Sequence, residues 1–263
     1  MESSAESTSP ANVLRYPPLR ASSSILLIAH SVFLDILISG ITHPIAAILT
    51  ILGPLHALPS WFCSAYPLFT YAFYIVGTWA NTMLALQRLT AIAAPHRFPL
   101  LQRRSAVVAL YLLPWVISYF LNLFPALNLV GITMNRIPFS GTCLIMSVAG
   151  TVDRLMIYTV PAVFLPAVVK GICYAIVLTR SVGQLRDEEQ RTNNPRRIAA
   201  NRRRLDVSRA LFMCYFWHCT ALFPTVLFTN FLPGVYVNHV ALQCILRWLT
   251  ATNGAFNPVM SCN

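Results

Sequence analysis

Between Cys63 and Arg88 the chain carries no charged side chain, while Tyr66, Phe69, Tyr71, Phe73, Tyr74, Trp79, Met83 and Leu86 fill the interval. Coiled as an α-helix, this stretch is roughly 37 Å long, enough to cross the hydrocarbon core of a bilayer at about 30 Å. Such a segment sets a thiol at one water interface and a guanidinium at the other. The pattern recurs along the sequence. Six apolar spans are read: Ile25 to Leu52, Tyr66 to Ala94, Ala106 to Phe124, Met156 to Leu178, Ala210 to Phe231 and Val240 to Cys262. Hydrophobic residues make up 56% of the chain and charged residues 10%, against about 25% charged in an ordinary soluble domain. The fold class expected is all-α, a multi-pass transmembrane helix bundle. Residues 25–263 form the membrane domain and 1–24 a polar, Ser-rich segment without the apolar core of a signal peptide.

The net charge of +11 is unevenly placed. Arg15 and Arg20 precede the first span. Arg88, Arg97, Arg103 and Arg104 follow the second, and nine arginines from Arg180 to Arg209 lie between the fourth and fifth. The loops on the opposite side hold only Arg136 and Arg154. Basic loops stay in the cytosol, so both termini are expected there as well. Topology alone accounts for the basic excess, and with no soluble fold to present a reading element no nucleic-acid partner is expected. The Arg180–Arg209 loop has two readings, a solvated topology signal and a docking surface that also meets anionic lipid. Pro195 is expected to separate two helical extensions there.

Cys63 and Cys143 face the outer, oxidising side, where disulfides persist. Cys173, Cys214, Cys219 and Cys244 fall inside spans and read as small buried hydrophobes. Asp35 is the only acid within a span; it is expected to turn inward, into a polar network with Asn253 and Asn257, one turn apart on the last span. Lys170 shares a face with Pro166 and Tyr174 and is expected to snorkel toward the cytosol. Arg247 lies in the outer half of the last span, as an interface anchor or as the charged floor of a pocket. The sequence shows no paired carboxylates, Ser/His/Asp set, Gly-rich phosphate loop or zinc spacing, so neither enzyme activity, cofactor nor metal is expected.

Taken in order, these residues resemble the rhodopsin-like G-protein-coupled receptors from about Arg20 onward. Asp35 stands nine residues before Pro44, Trp115 ten before Pro125, and Pro166 eight before Tyr174. Cys63 opens the helix that ends in Gln87-Arg88-Leu89 with Pro95 seven further on, and Asn257-Pro258-Val259-Met260-Ser261 matches the first half of Asn-Pro-x-x-Tyr. Gln87 replaces the usual acid, Leu222 the aromatic before Pro224, Ser261 the final Tyr, and Gly77 the Ser of the sodium site. The family's first helix has no counterpart, so six of seven helices are expected. The Ala85-Leu86-Gln87-Arg88-Leu89-Thr90-Ala91-Ile92 run is most similar to the nematode serpentine chemoreceptors, class V among them.

The resemblance implies a Cys63–Cys143 disulfide. It also implies a G-protein-coupling site of Arg88, Tyr174, Asn257 and Pro258, and a receptor in the plasma membrane that senses an extracellular small molecule and signals to a heterotrimeric G protein. Thr70, Tyr71 and Tyr74, with Tyr158, Thr225, Thr229 and Arg247 from opposing walls, are the ligand-pocket candidates. Any one of the tyrosines taken alone reads more simply as a packing or interface aromatic. Arg247 without a neighbouring acid favours an acidic or hydrogen-bond-accepting ligand. Two alternatives stand beside this: a six-span channel or carrier, and a truncated, non-signalling receptor relic. A voltage sensor would carry Arg at every third position of a span, and a carrier would show repeated halves; neither pattern occurs.

Overall fold

The computed structural model describes residues 23–53, 59–137, 141–147, 152–191 and 195–261, the last stretch from 253 onward as backbone. Its helices form six rods. The first joins α1 (Ser23–Leu37) to α2 (His43–Leu52) through a π-turn, Ile38–Thr42. The second joins α3 (Ser60–Tyr66) to α4 (Ala72–Ala93) through a π-turn, Pro67–Tyr71. A single turn, α5 (Phe98–Leu101), leads to the third rod, α6 (Arg104–Ala126). The fourth joins α7 (Val152–Thr159) to α8 (Leu165–Arg191) through the π-turn Val160–Phe164. The fifth is α9 (Pro195–Phe231) and, after the short α10 (Pro233–Asn238), the sixth is α11 (Val240–Ser261). The expected polar segment 1–24 lies outside the described residues except for Ser23 and Ser24.

Leu26–Leu52, Arg104–Ala126, Asp153–Gln190 and Arg197–Phe231 are long and apolar enough to cross a membrane by length and composition. Their outward faces suit lipid: Ile36, Val116 and Phe120 are each more than 60% exposed. The centre is α4, buried along much of its length from Ala72 to Gln87, with α1, α6 and α8 packed around it. Beyond them, α8 packs on α9 and α9 on α11.

Each π-turn has a proline in it or just after it, and the pattern has a cause. Proline gives no N–H to the helix ladder, and one residue too many in a turn absorbs the break. The i→i+5 bonds run from His43 N to Ile38 O, from Ala72 N to Pro67 O and from Leu165 N to Val160 O. Pro166 has no N–H for the carbonyl five residues back, and Trp79 Nε1 on α4 donates to that Pro161 oxygen at 3.2 Å. A neighbouring rod thus satisfies the carbonyl, as a membrane interior requires.

The loop expected between the third and fourth spans is a hairpin. β1 (Ile132–Arg136) pairs antiparallel with β2 (Cys143–Ser147), Arg136 opposite Cys143. Its apolar side is in the bundle core, where Ile132, Met134, Cys143 and Ile145 pack with Tyr66, Ile75, Leu121 and Tyr158. Arg136 Nη2 donates to Gly53 O at 2.8 Å. Gly53 ends α2 with φ +63°, a left-handed conformation that glycine adopts without steric cost. Cys63 and Cys143 are joined as a disulfide with Cα atoms 5.5 Å apart.

Two expectations are corrected. Lys170 does not snorkel: it is 4% exposed, and its Nζ lies 5.4 Å from the centre of the Tyr215 ring. Its side of α8 packs against α9, which leaves its stem no route to water. Of the four cysteines expected to be buried only Cys173 is; Cys214 and Cys219 are half-buried and Cys244 is exposed, because each lies on a side of its helix that its neighbours do not fully cover.

Candidate functional site

All three π-turns border one cavity of about 630 Å³. Ile38 and Thr42 come from the first, Thr70 and Tyr71 from the second, Ala162 and Val163 from the third. An extra residue in a turn rotates the helix beyond it, and π-turns often mark functional sites for that reason. Here each of the three places residues on the wall of the same space.

The structure brings all seven pocket candidates around this space: Thr70, Tyr71, Tyr74, Tyr158, Thr225, Thr229 and Arg247. Their roles within it differ. Tyr158 O–H donates to Asn122 Oδ1 at 3.1 Å, and Asn122 Nδ2 donates to Ser118 O at 2.8 Å, so this tyrosine holds the wall. Tyr74 O–H and His43 Nδ1 are 3.3 Å apart across the first and second rods. Thr229 Oγ1 donates to Thr225 O at 2.9 Å. The Thr225 and Thr250 hydroxyls lie 3.2 Å apart and join α9 to α11.

Arg247 brings a positive charge to the cavity. It is half-buried; Nη1 donates to Thr50 Oγ1 at 2.7 Å and Nη2 to Thr142 Oγ1 at 2.5 Å. Both acceptors are neutral, so the positive charge is solvated without being cancelled. None of the three ion pairs among the described residues, Arg197–Glu188, Arg202–Glu189 and Arg209–Asp206, involves Arg247. Asp35 also borders the cavity, but it precedes Thr50 by roughly 22 Å of helix. Asp153, near the hairpin, is exposed and outside the lining.

The hairpin closes one end. Cys143, Leu144 and Ile145 line the cavity; the disulfide holds β2 to α3; and Ile137 and Leu144 pack with Tyr236 and Leu246.

At the other, basic end Arg88 sits partly exposed near the close of α4. Gln87 beside it is 1% exposed, and Arg88 is in none of the ion pairs of the described residues. Tyr174 is buried in the cluster that packs Leu86 and Leu89 of α4 against Leu211, Phe212 and Tyr215 of α9, so it stands next to the Arg88 turn. Ser181 and Ser208 hydroxyls, buried and 3.2 Å apart, tie α8 to α9 beyond it. Asn257 and Pro258 continue α11 as backbone, and the side chains of Asn253 and Asn257, expected to form a network with Asp35, lie outside the described ones.

Sequence reasoning missed Thr50, Thr142, His43 and Asn122, the partners that fix Arg247, Tyr74 and Tyr158. His43 and Thr50 in the first span and Asn122 in the third carried a signal, being polar inside apolar stretches; Thr142, between spans, carried none.

The family model of the seven-transmembrane receptors of the rhodopsin family matches residues 11–260. No curated protein matches the chain.

Proposed function

The chain belongs to the seven-transmembrane receptors of the rhodopsin family, and from that premise we propose that it is a plasma-membrane chemoreceptor. In this reading it senses an extracellular small molecule with an acidic or strongly accepting group and signals to a heterotrimeric G protein. One observation carries the reading: residues from the first, second, fourth, fifth and sixth rods meet the hairpin around a single cavity holding one uncancelled cation. A cavity of this size, largely apolar with a few convergent polar groups, suits a small ligand.

The coupling site is Arg88 with Tyr174, joined by Asn257 and Pro258 from α11. Tyr74 and Arg88 are on one continuous helix, roughly 21 Å apart along its axis. A ligand that prefers one packing of α4, α8 and α9 shifts the population of that packing at the basic end. Gln87, being neutral, gives Arg88 no ionic restraint, so basal signalling is raised.

The test measures G-protein activation with surface delivery monitored in parallel. Arg88→Ala abolishes activation with the receptor still at the surface. Gln87→Asp lowers the basal signal. Arg247→Gln blunts responses to acidic compounds. Undiminished signalling from Arg88→Ala removes the coupling site, and identical acidic-ligand responses from Arg247→Gln remove the ligand assignment.

A further inference from the structure

Gln243 lies on α11 one turn before Arg247 and is 1% exposed. Its amide reaches out of its own helix: Nε2 donates to Tyr236 O at 2.9 Å and to Val237 O at 3.1 Å. Those carbonyls belong to the end of α10, and the last carbonyls of any helix lack partners within it. One buried amide thus ties the segment between the fifth and sixth rods to the turn that carries Arg247.

The side chain held by this tie is Tyr236. It is 3% exposed, and its ring packs with Ile137, Leu144 and Leu246. The hydroxyl has no hydrogen-bond partner among the described residues, yet it is not sealed among protein atoms. Tyr236 lines the cavity, so the hydroxyl opens into it. A buried hydroxyl without a partner carries a desolvation cost that a ligand atom can remove. Tyr71, on the second π-turn, lines the cavity with its hydroxyl in the same condition, and it lies within electrostatic reach of both Tyr236 and Arg247. Strand β2 draws the three together. Thr142, just before it, accepts from Arg247; Leu144 packs on Tyr236; and Tyr71 packs on the cluster that holds Cys143 and Ile145.

This corner is rich in donors and poor in acceptors. A guanidinium only donates, and it has more N–H groups than the two that reach Thr50 and Thr142. Two phenols can donate beside it. The group that satisfies all three residues accepts several hydrogen bonds and carries a negative charge, as the two oxygens of a carboxylate do. Further in, Ile75, Leu155, Ala162 and Val163 line the cavity, and the charged group there is Asp35. A second carboxylate on the ligand would find no second Lys or Arg among the described lining residues.

We infer that the anion site of the cavity is a clamp of Arg247 with the phenols of Tyr236 and Tyr71, that Gln243 positions Tyr236 in it, and that it selects compact monocarboxylic acids with an apolar body. This deepens the reading above and rests on it only for treating the cavity as the ligand site.

The experiment uses the full chain in lipid nanodiscs without G protein. The probes share one six-carbon chain: hexanoate, hexan-1-ol and adipate. Binding is read by saturation-transfer NMR titration against empty nanodiscs. Hexanoate is expected to bind saturably, and hexan-1-ol and adipate about tenfold more weakly or worse, a difference of about 1.4 kcal/mol or more. Tyr236→Phe keeps the ring and loses the hydroxyl; it should weaken hexanoate about tenfold and leave hexan-1-ol unchanged. Tyr71→Phe should act in the same direction. Gln243→Leu should weaken hexanoate in the wild-type background and add nothing in Tyr236→Phe. Helical circular dichroism checks that each variant folds. No saturable binding of hexanoate, or equal binding of hexan-1-ol, overturns the carboxylate site, and equal binding of adipate overturns the selection for one anionic group. Unchanged hexanoate affinity in both Phe variants overturns the phenol clamp, and a further loss from Gln243→Leu on top of Tyr236→Phe overturns its positioning role. The two readings fail separately. Hexanoate binding lost in Tyr236→Phe, without signalling in cells by any acid, sinks the receptor function and leaves the clamp standing; signalling by acids that Tyr236→Phe and Tyr71→Phe leave untouched does the reverse.

Discussion

Replacing Lys170 by Met should make the protein more stable. Lys170 is 4% exposed, deep in the contact between α8 and α9. Its visible compensation is the Tyr215 ring face, 5.4 Å from Nζ, and none of the ion pairs of the described residues includes it. Burying an ammonium costs several kcal/mol even after the surroundings relax, roughly 3 kcal/mol or more, whereas a desolvated cation–π contact returns about 2 kcal/mol. Met has nearly the same length, carries no charge, and its sulfur meets an aromatic ring favourably by about 0.3–1.5 kcal/mol. The balance favours Lys170→Met by about 1–3 kcal/mol. For a chain of this size each kcal/mol moves Tm by about 2–4 °C. The assay is loss of the helical circular dichroism signal on heating in detergent, for Lys170→Met, Tyr215→Leu and the double variant. Tyr215→Leu should be costly when Lys170 is present and mild when it is Met, with a coupling of about 1–2 kcal/mol. A lower Tm for Lys170→Met, or a cycle without coupling, refutes the reasoning, since either result requires the ammonium to be better satisfied than by the ring.

Gly171→Ala should destabilise by about 1–3 kcal/mol, because a Cβ there would sit 2.8 Å from Tyr215 Cζ and closer still to its hydroxyl; restoration of Tm by Tyr215→Leu in the same chain is the check, and an unchanged Tm for the single variant contradicts the close approach of α8 to α9. Cys63→Ser opens a closure of 80 residues. The chain-entropy argument gives about 4.5 kcal/mol for a loop of that length, and helix ends held in a bilayer reduce this to about 2–4 kcal/mol; an equal Tm for oxidised and reduced wild type rules the contribution out.

The rods were legible because bilayer thickness forces an apolar run of about 20 residues, a signal too long to arise from turns or short strands. Their ends were less legible. The second rod begins at Ser60 rather than Tyr66, and the fifth at Pro195 rather than Ala210, because helices run on past the hydrocarbon on their own hydrogen bonds and exposed ion pairs such as Glu189–Arg202. The π-turns were half visible. Pro44 and Pro161 announced interruptions, but a proline alone does not distinguish a kink from an added residue, and Pro67 opens its turn at the very edge of the expected span. The hairpin was read as loop because Ile132-Thr133-Met134-Asn135-Arg136 and Cys143-Leu144-Ile145-Met146-Ser147 are too short to show a strand period. Their pairing depends on the apolar face they share with Tyr66 and Tyr158.

The site divides along the same physical line. Tyr71, Tyr74 and Arg247 were singled out because they are chemically conspicuous in an apolar background; their partners were missed because a partner is chosen by tertiary distance. Thr50 is separated from Arg247 by 197 positions and Thr142 by 105. Thr50 still donates to Ala46 O on its own helix at 2.8 Å, and its oxygen accepts from Arg247 as well, a second bond that no local pattern announces. That choice of a neutral acceptor is what gives the cavity its chemistry. Had Arg247 met a carboxylate, the pair would be neutral and the cavity indifferent to charge. Two hydroxyls satisfy the N–H groups and leave the charge in place. An anion that enters trades neutral acceptors for a charged one, and such hydrogen bonds are about twice as strong as neutral ones. The selectivity assigned to the cavity thus follows from which acceptor the fold delivers to Arg247, a fact the sequence holds only through the whole bundle.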